Sequence, residues 1–146
     1  TKIPGTVTSL VTAVFMYIAY EHLGYTDIKF SIIFFTLLFF YSFYAVKDAE
    51  SEFKNKDPRQ IVIDEVLGQA MPLILVLHLS QNNQLSLQIE IYYVLSFIFF
   101  RFFDILKPFP VSYFDKNFKN YFGIIMDDIM AGLYSMILIY LVSLKF

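Results

Sequence analysis

Neither cysteine nor tryptophan occurs anywhere in this chain of 146 residues. Without cysteine there is no disulfide, no thiolate metal site and no cysteine nucleophile. Histidine is scarce as well: His22 and His78 are the two examples, and both fall far from the acidic residues described below, which argues against a histidine nucleophile. Charged residues make up 16% of the chain, the net charge is −2, and no basic run is present, so nucleic-acid binding is excluded. Internal repeats, low-complexity runs and linkers are also missing, and residues 1–146 read as a single domain.

What the chain has in abundance is hydrocarbon. Hydrophobic residues make up 58% of it and the mean hydropathy is +0.59, above the usual apolar share of a soluble domain. The 18 phenylalanines and 11 tyrosines supply bulk, and tyrosine suits a lipid interface. Five apolar stretches can be marked, at residues 7–20, 30–46, 61–79, 89–106 and 121–144. Crossing the hydrocarbon takes about 20 residues, with about 17 as the lower end, so the first stretch is short and reads as tilted, re-entrant or begun earlier. It lacks a small-residue cleavage site and runs into Tyr17 and Tyr20, so no cleavable signal peptide is expected. The expected fold is all-α: a small polytopic membrane bundle of about four to five transmembrane or re-entrant helices.

Lysine and arginine in the loops give the orientation. If every stretch crosses, one side receives Lys2, then Lys47, Lys54, Lys56 and Arg59, then Lys107, Lys116 and Lys119, while the other receives Lys29 and Lys145. The positive-inside rule places the first side in the cytoplasm. On that side Asp57 and Gln60, with Pro58 between them, predict a capped helix start. A helix begun at Pro58 puts Asp64 and Glu65 roughly 10 Å inside it. Pro108 ends the fourth helix near Lys107, with Arg101 and Asp104 in its last turns, and the fifth helix carries Asp127 and Asp128 about two turns in from Asn120. All these charges converge on one face, whereas residues 80–84 on the other carry none.

Carboxylates so placed are expensive in a membrane and point to function. Asp64, Glu65, Asp104, Asp127 and Asp128 form a hard oxygen environment of the kind that holds Mg²⁺ with a phosphate. Neighbours on a helix point about 100° apart, so one acid of each adjacent pair is expected to face the site and the other to support it. Gly68 and Gly132, each four residues after an acid, would let two helices approach closely. Arg101 shares a face with Asp104 and can steady it or fork onto a phosphate. Lys107 suits a phosphate ligand and a snorkelling interface lysine equally. The competing readings are a buried structural ion network and, in a different functional class, a small cation or proton transporter. A transporter would want polar residues continuing outward, where this chain has Leu, Ile, Val and Phe.

The series Pro4-Gly5-Thr6, Asp64-Glu65 with Gly68, Arg101 to Asp104 followed by Lys107-Pro108-Phe109-Pro110, Asp115, and Asp127-Asp128 with Ala131-Gly132 resembles the phosphatidylglycerophosphatase A family of bacterial membrane enzymes. The motifs stand in the family's order over nearly the whole chain. The resemblance implies Mg²⁺-dependent removal of the terminal phosphate of phosphatidylglycerophosphate, giving phosphatidylglycerol at the inner membrane with the site toward the cytoplasm. It makes Asp64, Glu65, Asp104, Asp127 and Asp128 metal ligands or general base, and Arg101 and Lys107 phosphate ligands. The Gly5-Thr6 loop becomes a backbone anion contact. A lipid phosphotransferase would use acids similarly, but the longer Gly-spaced acidic motif of the CDP-alcohol transferases is missing. Oligomeric state is left open.

Overall fold

A computed structural model describes residues 3–52 and 62–145. All regular structure among them is helical: α1 (Ile3–Tyr17), continued by a π-helical turn (Ile18–His22), α2 (Ile28–Glu52), α3 (Ile63–Gln81), α4 (Ile89–Leu106), α5 (Val111–Asn117) and α6 (Tyr121–Lys145). By length and composition α2, α3 and α6 are apolar enough to cross a membrane. The 18 residues of α4 include Glu90, Arg101 and Asp104, which dilute its apolar character. The short α5 has no counterpart among the five apolar stretches.

Two helix starts differ from expectation. Val62 lies outside α3, whose first bond runs from the Val66 N–H to the Val62 carbonyl at 3.2 Å. Asp64 and Glu65 therefore occupy the first turn rather than a position well inside the helix, where their charge complements the positive end of the helix dipole. The expected cap at Asp57, Pro58 and Gln60 lies outside the described residues. At the other start, α1 already begins at Ile3, because Pro4 has the fixed φ that suits a first turn. Gly5 and Thr6 are thus helical, not a loop.

Elsewhere the local chemistry acts as the sequence suggests. The side chain of Asn120 accepts a bond from the Gly123 N–H at 3.2 Å and starts α6. Lys107 closes α4 in the left-handed conformation, φ 48° and ψ 59°, unusual for a residue with a Cβ.

α3 is the central helix, packed against α1, α2, α4 and α6. Leu73, Val76 and Leu77 meet Tyr92 and Ile139 in its second half, while Leu67 meets Val46 and Ile125 in its first. α2 buries little and exposes Phe30, Ile33, Phe34, Leu37, Phe40 and Tyr44, a face suited to lipid. The helix ends alternate. Gly5 of α1 meets Glu65 of α3, Arg101 of α4 meets Glu65, and Phe43 of α2 packs edge-on against Tyr121 of α6, all at one end. At the opposite end Tyr17 reaches Glu90 and packs edge-on against His22. Tyr17, Glu90 and His22 form a small exposed polar group at that end.

Candidate active site

The first turn of α3, the last turn of α4 and the second turn of α6 bring Asp64, Arg101, Asp104, Asp127 and Asp128 together, every one of them buried. Glu65 is half-buried beside them. Two cations organise the acids. Arg101 Nη1 lies 2.6 Å from Asp104 Oδ2 and 3.8 Å from Glu65 Oε1, tying α4 to α3. Lys107 Nζ bonds the Asp127 carboxylate and lies 3.3 Å from Asp115 Oδ1 and 3.9 Å from Asp104 Oδ1. Burial alone would lower the pKa of Lys107, but Asp127, Asp128 and Asp104 outweigh it and raise the pKa above the ordinary lysine value. Its ammonium is therefore a fixed charge at neutral pH, and the left-handed end of α4 aims it inward.

The glycines give the site its tightness. A Cβ on Gly68 would lie 2.7 Å from the Asp128 carbonyl oxygen, and one on Gly132 2.6 Å from the Gly68 carbonyl oxygen. A Cβ on Gly5 would overlap the Glu65 carboxylate. The backbone of α1 thus approaches Glu65 closely beside the site. Thr6 follows in the same turn.

Among the described residues no three acid or histidine side chains are disposed to hold a metal ion as they stand, since Arg101 and Lys107 draw the carboxylates onto themselves. The donor chemistry nonetheless fits a hard cation. Asp64 Oδ1 and Glu65 Oε2 are buried without a hydrogen-bond partner, and such oxygens are costly unless a cation or a proton donor satisfies them. Asp64 and Glu65, with Asp104, Asp127 and Asp128, are the residues that could hold one.

Asp115 is among the residues that carry the family resemblance, without a role in the site expected from sequence. It stands on α5, and its contact with Lys107 is tertiary, so no local spacing signals it. His22 and His78 lie away from the acids, as expected. The hydroxyl of Tyr134 on α6 donates to the Phe109 carbonyl at 2.6 Å and fixes the turn that carries α5.

A model of the phosphatidylglycerophosphatase A family matches residues 1–143. The chain is 34% identical to a Haemophilus influenzae protein named phosphatidylglycerophosphatase A, over 96% of this chain and 78% of the relative. It is 34% identical to a Bacteroides thetaiotaomicron protein named "Putative phosphatidylinositol-3-phosphatase", over 93% of this chain and 80% of the relative. An Escherichia coli phosphatidylglycerophosphatase A is 26% identical over 97% of this chain and 74% of its own length. No solved structure matches the chain.

Proposed function

The chain belongs to the phosphatidylglycerophosphatase A family of phosphoric monoester hydrolases, and from that premise we propose that it removes the terminal phosphate of phosphatidylglycerophosphate with the help of Mg²⁺. The observation that carries this reading is the meeting of five acids with Arg101 and Lys107 at one end of the bundle. Water adds to phosphorus, the ester P–O bond breaks, and phosphatidylglycerol and inorganic phosphate leave. Arg101 offers its guanidinium fork to the phosphoryl oxygens, exchanging part of its hold on Asp104. Lys107, kept charged by its carboxylate neighbours, stabilises the negative charge that develops on transfer. Asp64 or Glu65, each with an unpartnered oxygen, takes the proton of the attacking water and passes it to the departing glycerol oxygen, which leaves as the hydroxyl of phosphatidylglycerol. Asp104, Asp127 and Asp128, with whichever of Asp64 and Glu65 does not act as the base, would hold Mg²⁺, which when bound would supply positive charge to offset that of the phosphoryl group.

The lysine and arginine imbalance of the loops supports a site on the cytoplasmic face of the bacterial inner membrane. The transporter reading loses ground because the core beyond the acids is Leu73, Val76, Leu77 and Ile139. A phosphate-release assay in detergent micelles tests the proposal, with phosphatidylglycerophosphate and phosphatidylinositol 3-phosphate as alternative substrates. Release from the first at a rate well above the second is expected. No release from phosphatidylglycerophosphate would overturn the assignment.

A further inference from the structure

One polar side chain deep in the bundle has no place in the scheme above. Gln69 is 0% exposed, and neither its Nε2 nor its Oε1 has a hydrogen-bond partner. Sealing both ends of an amide away from water without partners is costly, so a group that completes it is expected. The buried hydroxyls of α1, which packs against α3, do not supply it. On α1, Ser9 occupies the turn below Gly5 as Gln69 occupies the turn below Glu65, but the Ser9 hydroxyl already donates to the Gly5 carbonyl at 2.9 Å. The Thr12 hydroxyl is likewise spent on the Thr8 carbonyl at 2.9 Å. One turn further along α3 stands Leu73, fully buried in hydrocarbon. On α3, Gln69 thus stands between the acids of the first turn and the hydrocarbon that begins at Leu73.

Its direction matters. Gln69 lies four residues after Glu65, on the same face of α3 and about 5.4 Å along the axis. Helical side chains slant toward the N-terminus of their helix, so the amide of Gln69 leans back to the turn of Glu65. Glu65 Oε2 is itself buried and unpartnered, and Arg101 Nε beside it is too. The polar line therefore runs from Arg101 past Glu65 to Gln69.

We propose that Gln69 selects the headgroup: its amide receives a free hydroxyl of the substrate polyol, donating from Nε2 to the hydroxyl oxygen or accepting its proton at Oε1. This rests on the phosphatase reading above. In a glycerol phosphate the free hydroxyl stands on the carbon next to the esterified one. A phosphate gripped by Arg101 beside Glu65 then carries that hydroxyl toward the next turn of α3. A site built to hydrogen-bond a hydroxyl rejects the analogue that lacks it far more strongly than an apolar pocket distinguishes a methylene.

The test compares phosphatidylglycerophosphate with its deoxy counterpart, in which hydrogen replaces the free headgroup hydroxyl, using wild type, Gln69→Met and Gln69→Asn in micelles. Wild type should favour the hydroxyl substrate by about tenfold or more in kcat/KM. Gln69→Met should lose that preference, mainly through KM, while its rate on the deoxy lipid stays within about twofold of wild type. Gln69→Asn keeps an amide but withdraws it by one methylene, and should lose the preference too; it serves if the Met variant does not fold. Equal losses on both lipids, the mark of a structural amide or a resident water, would overturn the proposal, and so would no loss on either. If wild type ignores phosphatidylglycerophosphate, the substrate assignment fails separately. The same comparison then runs on phosphatidylinositol 3-phosphate and its counterpart lacking the hydroxyl beside the phosphate.

Discussion

Gly132 of α6 packs onto the carbonyl oxygen of Gly68 in α3, so closely that a Cβ at position 132 would lie 2.6 Å from it. That carbonyl is special, because the residue four places on is Pro72, inside the helix, and proline has no N–H to return. The backbone of α3 therefore has an acceptor free of its own ladder just where α6 comes nearest. Contact with a glycine Cα–H is the natural partner for such an oxygen, and small residues at the crossing allow it.

Replacing Gly132 with Ala should force α3 and α6 apart directly below Asp64 and Asp128. Overpacking of this kind costs about 1 to 3 kcal/mol, and the melting temperature in detergent should fall accordingly. Phosphatase rate should fall further than stability alone explains, since both helices carry site acids. An unchanged melting temperature and rate would show that the crossing is not tight.

Much of this arrangement was legible before any coordinates. The apolar stretches located five of the six α-helices found among the described residues, and alternation of their ends put Asp64, Asp104 and Asp128 at one face. The glycines four residues after the acids foretold the α3–α6 crossing. What the sequence hid was tertiary. Asp115 meets Lys107 only because α5 folds back against α6, and α5 is too short to show a periodic pattern. Gly5 reads as a loop glycine in the sequence but lies in the first turn of α1, against Glu65. The depth of Asp64 and Glu65 in α3 was not legible, because Val62, which precedes the first helical residue, carries no capping side chain to mark that start.

Chelation should abolish phosphate release and added Mg²⁺ should restore it, with Ca²⁺ a poor substitute, because a compact octahedral ion orients phosphate and water more strictly. Full activity after exhaustive chelation would contradict the requirement. Binding can be read apart from turnover, since Mg²⁺ should also raise the melting temperature of wild type and not of Asp64→Asn.

The absence of native cysteine makes topology simple to measure. Single cysteines at Asn82 and Lys119 stand at opposite ends of the bundle, after α3 and before α6 respectively. A membrane-impermeant thiol reagent applied to intact cells should label position 82 and leave position 119 unlabelled. The reverse pattern would place the acids on the outer face.

The acids themselves separate catalysis from architecture. Asp64, Asp104 and Asp128 come from three different helices and are all buried, so each Asn variant keeps the local shape and removes one negative charge. If they hold a cation against the phosphate, each variant should lose about 10²-fold or more in turnover. For Asp64→Asn stability should change little or rise, because the buried charge removed there leaves no cation stranded. If instead they form a structural ion network, the order reverses. Asp104→Asn would then strand Arg101, which holds that carboxylate at 2.6 Å, and breaking such a pair typically costs about 3 to 5 kcal/mol. Asp64→Asn is the sharper variant, because Asp64 Oδ1 has no protein partner to lose and a structural network predicts little effect there. Rate and melting temperature measured together on both variants therefore decide the matter: an inactive, stable Asp64→Asn supports the phosphatase site, whereas an active Asp64→Asn beside an unstable Asp104→Asn rejects it.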